Sequence, residues 1–230
     1  MSQARSFRHV PARWFETLPA DVKHAVEEVV TSLRIAKGQA VIRQGDEARG
    51  LYGVVSGELQ AIGTTTSGLD ALIAIHRASD WFGFQACADQ GEYAFSVVAT
   101  CDSELQFLSL PAVERIFMQT TRTMKLFFAP QLSTTRSLFR HITEQLSYSP
   151  IQRLANRLLE LAITPYAEHV PVSTLNAVTQ EQLAFSTMHS RQWTNRLLRQ
   201  LVDKGLISVS RTTIEIIDFK GLKNLADNGL

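Results

Sequence analysis

Apolar residues follow three successive rhythms along this chain. From about Leu33 to Leu110 they come in short alternating runs: LRIAKGQAVIRQGDEARGLYGVVSGELQAIG, then ALIAIHRASDWFG, FSVVATC and ELQFLSL. Turn residues punctuate them at Lys37-Gly38, Gly45-Asp46 and Ser56-Gly57. Such alternation predicts short strands forming an antiparallel barrel or jelly roll. The rhythm then changes to steps of three and four, where Leu132, Thr135, Phe139, Ile142 and Leu146 make an a/d seam on one helix. Pro130 has no backbone N–H and is expected to end a turn or kink that helix. Ser149-Pro150 reads as a cap followed by an N1 proline, so a new helix begins there and 147–150 is the expected hinge. Its inward stripe is Ile151, Leu154, Leu158 and Leu161.

The third rhythm, from Thr179 to Ser210, predicts two short helices joined by a tight turn. Thr179 with Gln182 three residues on is a capping-box signature for a helix running to about Ser186. Thr187-Met188-His189 is the turn, Ser190 caps the second helix, and Gly205 fits the C′ position at its end. On that second helix Thr194, Leu197, Leu198 and Leu201 share one stripe, while Gln192, Asn195, Arg196 and Arg199 share the opposite one. Arg191 projects from its first turn, and Trp193, at the edge of the stripe, is read as packing. Two alternating runs, Leu206–Val209 and Thr213–Ile217, follow around Arg211-Thr212 as a hairpin. Helix, helix and hairpin in this order make a winged helix-turn-helix.

Charge sharpens that picture. The chain carries a formal net charge of only +1, yet no acid occurs from Ser190 to Val202, so the polar face of this helix is locally cationic. A helix fits the DNA major groove, where Arg pairs bidentately with guanine and Gln or Asn with adenine. Hydrophobic residues make up 45% of the composition, as in ordinary globular proteins. No run approaches the ~20 apolar residues of a membrane span, and the start MSQARSFRHVPARWF lacks the apolar region of a signal peptide. The two cysteines, Cys87 and Cys101, have no metal-binding or disulfide-framework spacing. A cytoplasmic location, no membrane partner and no metal site are therefore expected. The fold class is α+β, in three parts: a β-rich domain with N-terminal helices at 1–120, a long amphipathic helix and hinge at 121–148, and a winged helix-turn-helix domain at 149–230.

The helix-turn-helix, with its Ser190-Arg191 pair, Arg196 and Gly205-Leu206-Ile207 close, resembles that of the cyclic-AMP receptor protein and fumarate-nitrate regulator (CRP/FNR) family. Gly38, Gly45-Asp46, Leu51-Tyr52, Gly57 and Gly83 are spaced like the family's cyclic-nucleotide-binding β-roll. The resemblance implies a non-enzymatic transcription regulator that binds double-stranded DNA as a homodimer paired along the long helix. It implies base contacts by Arg191, Gln192 and Arg196 and phosphate contacts by Thr179 and Ser190, with Asn195, Arg199 and Arg211 as further candidates. The second reading position is often Glu in the family and is Gln192 here, which leaves the half-site open. The Thr164–His169 loop matches a region that touches RNA polymerase in family activators.

The family's nucleotide pocket needs a Gly-Glu pair, a short helix and Arg-Ser. In the corresponding GFQACADQGEYAFSVVA, Phe84 replaces the Glu, and Ala94-Phe95 stands in place of Arg-Ser. A phosphate without a cation or matched donors is poorly held, so cyclic AMP is not the expected effector. Phe82, Phe84, Gln85, Tyr93, Ala94 and Phe95 mark either an apolar pocket for an unknown effector or a filled core. No cysteine precedes Cys87, which excludes the N-terminal cluster of the fumarate-nitrate regulators. His76 is the lone histidine of the β-rich region: too few for a cupin metal enzyme and a single candidate for haem, so no resident cofactor is assigned.

Overall fold

In the computed structural model, residues 14–66, 68–162, 172–211 and 213–229 are described. Two short helices, α1 (Trp14–Thr17) and α2 (Ala20–Glu27), lead into β1 (Thr31–Ile35), β2 (Ala40–Ile42), β3 (Gly50–Ser56), β4 (Glu58–Thr64), β5 (Asp70–Arg77) and β6 (Trp81–Phe82). Helix α3 (Phe84–Asp89) interrupts the strands before β7 (Ser96–Ala99), β8 (Ser103–Ser109) and α4 (Leu110–Phe117). The strands pair antiparallel in two four-stranded sheets, ordered β1-β8-β3-β6 and β2-β7-β4-β5. Their facing sides enclose Tyr52, Val54, Leu59, Ala61, Val97 and Leu105, which is the β-roll expected from the alternating runs. Gly57 turns β3 into β4 at φ +95°, where an added Cβ would collide with Ser103.

A second apolar cluster lies outside the roll. Trp14, Trp81, Phe84, Phe117 and Phe127 meet there, bringing α1, α3 and α4 against the first half of α5 (Thr121–Ser147). Pro130 does not end α5: the helix runs through it as one 27-residue element. The missing N–H of Pro130 frees the Leu126 carbonyl, four residues back, and the indole N–H of Trp14 donates to that carbonyl at 2.8 Å. The proline is thus accommodated by a donor from elsewhere in the chain.

Helix α6 (Pro150–Ala162) starts at the predicted proline, with the Ser149 hydroxyl donating to Gln152 Oε1 at 2.8 Å. It is followed by β9 (Thr174–Asn176), α7 (Gln180–Ser186), α8 (Arg191–Asp203), β10 (Ile207–Val209), β11 (Thr213–Ile216) and α9 (Phe219–Asn228). The hairpin has the expected partners, Ile207 with Ile216 and Val209 with Ile214. Strand β9 adds a third member on the far side of β11, and α9 covers α6.

The two halves meet at β5. This strand ends its sheet, and its register slips between Ala61 and Ile62 of β4, so that Ile73 has no partner there. Arg157 of α6, buried, places Nη2 at 2.6 Å from the Leu72 carbonyl and 3.1 Å from the Ile73 carbonyl. Arg77 of β5 returns the contact, donating Nη1 to Leu161 O at 3.0 Å while its Nε pairs with Glu58 at 2.9 Å. Gln182 of α7 donates to Gln60 Oε1 at 3.3 Å, and Gln60 donates to Ala177 O at 3.2 Å. Leu72 and Ile75 join the core of the C-terminal half.

Asp80, at the β5–β6 turn, accepts the Arg77 backbone N–H at 2.8 Å and is buried. Burial raises its pKa to about 7, against the hydrogen bond and charge of Arg77. In the unfolded chain the carboxyl ionises near pH 4. Between these values the folded state keeps a proton that the unfolded state has lost, so stability falls as pH rises from about 4 to 7 and is then level. Asp80→Asn removes that penalty. A gain on the order of 1–2 kcal/mol, a few degrees in Tm, is expected at pH 8 and should vanish near pH 4 in thermal melts.

Candidate nucleic-acid interface and the β-roll interior

The helix-turn-helix geometry follows from its caps. The Thr179 hydroxyl accepts from the Gln182 N–H at 3.1 Å and Gln182 Oε1 accepts from the Thr179 N–H at 2.9 Å, a complete capping box. Met188 sits in the left-handed region at φ +56°, and His189 N donates to Ala184 O, closing the turn. The Ser190 hydroxyl accepts from Trp193 N at 3.2 Å and starts α8. Thr194, Leu197, Leu198 and Leu201 are buried as their spacing predicts. Gly205 follows at φ +69°, as the C′ position requires.

On the other face of α8, Arg191, Gln192, Arg196 and Arg199 are exposed. Among the described residues, neither these arginines nor exposed Arg211, beyond β10, has an ion-pair partner. Thr179 and Ser190 are exposed at the N-termini of α7 and α8, so their hydroxyl hydrogens are free to donate outward. Asn195 differs from its stripe, because it is half-buried and its Oδ1 is enclosed without a partner. Trp193 also departs from expectation: it is 42% exposed, with the Arg196 guanidinium 5.9 Å from its ring centroid, and is not a packing residue.

The predicted seam on α5 lies open in the single chain. Leu132, Phe139, Ile142 and Leu146 are 52%, 66%, 55% and 84% exposed, with Leu138 beside them at 55%. Thr135 is half-buried and donates to Gln131 O at 3.0 Å. Large apolar side chains this exposed together on one helix are uncommon on the surface of a monomeric protein.

The six aromatic-region candidates do not share one surface. Phe82 and Tyr93 lie inside the roll, where Phe82 stacks on Tyr52 at 5.5 Å and on His76 at 4.6 Å. The Tyr93 hydroxyl donates to Gly50 O at 3.0 Å and accepts from Arg49 N at 3.0 Å, so it ties the backbone of β3. Phe84 faces the other way, into the outer cluster, 4.8 Å from Trp14 and 5.4 Å from Phe127. Gln85 and Ala94 are exposed and Phe95 is half-buried. Gly83 caps α3 at φ +99°, keeping the loop geometry, but the side chain after it has become a wedge under α5. His76 is enclosed with both ring nitrogens unpartnered, and burial lowers its pKa to about 4, so the ring is neutral. Cys87 is buried, its thiol pushed up to about 12 by desolvation, whereas Cys101 is exposed; both are free thiols.

Two family models match the chain: the cyclic nucleotide-binding domain over residues 32–120 and the Crp-like helix-turn-helix domain over 152–225. The chain belongs to the CRP/FNR family of transcription regulators. It is 23% identical to the cyclic AMP receptor protein of Thermus thermophilus, over 83% of this chain and 85% of that protein. It is 24% identical to the transcriptional regulatory protein btr of Bordetella pertussis, over 90% and 86% respectively. Among solved structures, FixK2 from Bradyrhizobium japonicum superposes with a TM-score of 0.70 at 18% identity, covering 86% of this chain and 97% of its own. The CRP/FNR helix-turn-helix thus coincides with the exposed cationic face of α8, and the family's nucleotide-binding domain with the roll that Phe82 and Tyr93 fill. Among the described residues, no helix is long and apolar enough to cross a membrane. The Thr164–His169 loop lies outside the described residues.

Sequence reasoning missed Arg157, Gln60 and Gln182 as the polar link between the halves of this CRP/FNR chain. Only Gln182 carried a signal, and that signal announced a cap. If Phe84 is a wedge rather than a pocket wall, Phe84→Ala should destabilise the fold by about 3–4 kcal/mol, the cost of an aromatic core truncation. Denaturant unfolding of the variant measures this, and a cost below about 1 kcal/mol would place Phe84 against open space.

Proposed function

We propose that this CRP/FNR-family regulator binds a pseudo-palindromic DNA site as a homodimer, with residues 1–120 as sensor, 121–148 as dimerisation helix and hinge, and 149–230 as reader. The observation that carries this is the α8 face, where Arg191, Gln192, Arg196 and Arg199 are exposed and the arginines lack ion-pair partners among the described residues. Arg191, Gln192 and Arg196 read bases, Asn195 and Arg199 supplement them, and Arg211 approaches the backbone from the wing. Thr179 and Ser190 donate to phosphates, at helix N-termini where the backbone also favours anions. The open α5 seam, Leu132, Thr135, Phe139, Ile142 and Leu146, pairs with its twin, which sets two α8 helices one DNA turn apart.

The sensor domain holds no cyclic nucleotide in the family's usual manner. Phe84, Ala94 and Phe95 occupy the positions of the ribose and phosphate partners, and no cation replaces them. Its effector is an apolar molecule or none. A cytoplasmic location and a non-enzymatic role accord with the relatives, which are themselves transcription regulators. Contact with RNA polymerase through Thr164–His169 extends the same reading.

In-vitro selection from random DNA by the purified protein should enrich a two-fold-symmetric motif, unchanged by cyclic AMP. Arg191→Ala should then weaken binding to that motif at least tenfold while lowering non-specific binding less than about threefold, since a bidentate base contact discriminates by ~1–3 kcal/mol. Equal loss on both kinds of DNA removes the base-reading assignment. Separately, Phe139→Glu should convert a dimer to a monomer in sedimentation at micromolar protein with circular dichroism unchanged, because Phe139 packs little within its own chain.

A further inference from the structure

The hinge brings together a donor set that neither the fold nor DNA reading requires. His141 and Glu144 stand at i and i+3 on the last turns of α5, so they share a face. Glu160 reaches them from α6, on the far side of 147–150. One ligand atom from each lies within 4.8 Å of the others, and His141 Nδ1 is 3.9 Å from Glu160 Oε2. Two carboxylates at this separation repel each other, and either a proton on one or a cation between them relieves the repulsion. We propose that His141, Glu144 and Glu160 bind a divalent transition-metal ion, with Zn²⁺ the best match, and that the ion ties α5 to α6 across the hinge.

Ion chemistry favours that assignment. Imidazole nitrogen with two carboxylate oxygens suits a borderline ion better than Mg²⁺ or Ca²⁺, which take all-oxygen shells. With bonds of about 2.0–2.2 Å, ligand atoms around Zn²⁺ stand roughly 3.3–3.6 Å apart. The His141–Glu160 pair is already close to that spacing, and rotation of the Glu144 side chain closes the rest. The outer contacts also fit. Arg157 Nη1 donates to Glu160 Oε2 at 3.1 Å, which orients the carboxylate toward His141. Gln145 lies 3.2 Å from His141 Nε2, and its amide oxygen is buried without a partner. With the amide turned over, that oxygen accepts the Nε2–H of His141, and the Nδ1 lone pair then faces the two carboxylates, as in metal-ligating histidines. No motif announces the set, because it is split between two helices and has no Cys/His spacing.

The test uses the full chain, stripped with EDTA and titrated with Zn²⁺ by calorimetry. One ion per chain is expected at micromolar affinity or tighter, with Mg²⁺ silent and Tm raised by several degrees. His141→Gln and Glu144→Gln should each weaken binding at least tenfold. His24→Gln, which removes the exposed i,i+4 pair with Glu28 on α2, should leave it unchanged. All three substituted residues are at least partly exposed, so circular dichroism of the variants should match the parent. Co²⁺ gives a second readout, through visible absorption of an N/O-coordinated ion that is lost in His141→Gln. Affinity unaltered in both α5 variants, or no binding below millimolar Zn²⁺, overturns the proposal. None of these readouts involves DNA, so failure here leaves the DNA-binding proposal standing.

Discussion

Strand β5 borders its sheet, and a bulge pulls Ile73 out of register with β4. An edge of this kind leaves peptide carbonyls that water or another chain must satisfy, and exposed it would invite a further strand. Arg157 satisfies two of them with one guanidinium, and α6 and α7 cover the rest of the edge with the apolar core that includes Leu72 and Ile75. Removing Arg157 would leave both carbonyls enclosed without donors, which costs more than the net worth of the bonds themselves. The DNA-reading half is therefore part of what completes the sheet of the sensor half, and the position of α7 is set by Gln182 against Gln60.

Helix α5 divides its work along its length. Up to Pro130 it is packed against the roll, with Phe127 buried among Phe84 and Phe117 and the freed Leu126 carbonyl held by Trp14. Past Pro130 it leaves the roll: Leu132, Leu138, Phe139, Ile142 and Leu146 are exposed, while His141 and Gln145 meet Glu160 and Arg153 of α6. The same helix thus packs on the roll at one end and presents at the other an exposed apolar face, the one proposed to pair in a dimer. Phe84 sits where these meet. Its ring lies under the helix, 5.4 Å from that of Phe127, and makes a fixed contact between α3 and α5.

Much of this was legible because it depends on local rules. Thr179, Ser190 and Gly205 specify caps, and caps depend on neighbours three residues away. Leu197, Leu198 and Leu201 needed only helical periodicity. What was not legible required partners distant in sequence. Pro130 reads locally as ending a turn or kinking the helix, and no local pattern supplies Trp14 as the donor to Leu126 O, 112 residues from it, that lets α5 run on. Trp193 was assigned to packing on residue type alone, and it is exposed because the Leu197–Leu198–Leu201 stripe already fills the space beneath α8. Arg157 looks like any cation on a helix until the bulge at Ile73 gives it two carbonyls. Helix α9 had a usable signal, Asp218 before Leu222, Leu225 and Ala226, but it lies past the hairpin that ended the search for elements.

The exposed reader and the docked core together constrain how signalling can work. The α8 face is free while α6 and α7 remain fixed to β5, so DNA contact does not require the halves to separate. In the proposed dimer, an effector would act on the angle between the two α8 helices rather than on their exposure, because a ligand shifts an equilibrium only by binding its two states differently. The levers are the contacts that cross the 147–150 hinge: Arg153 to Gln145 O at 2.9 Å and His141 facing Glu160 at 3.9 Å. Arg153 also meets His189 at 2.9 Å, linking the hinge directly to the turn before α8.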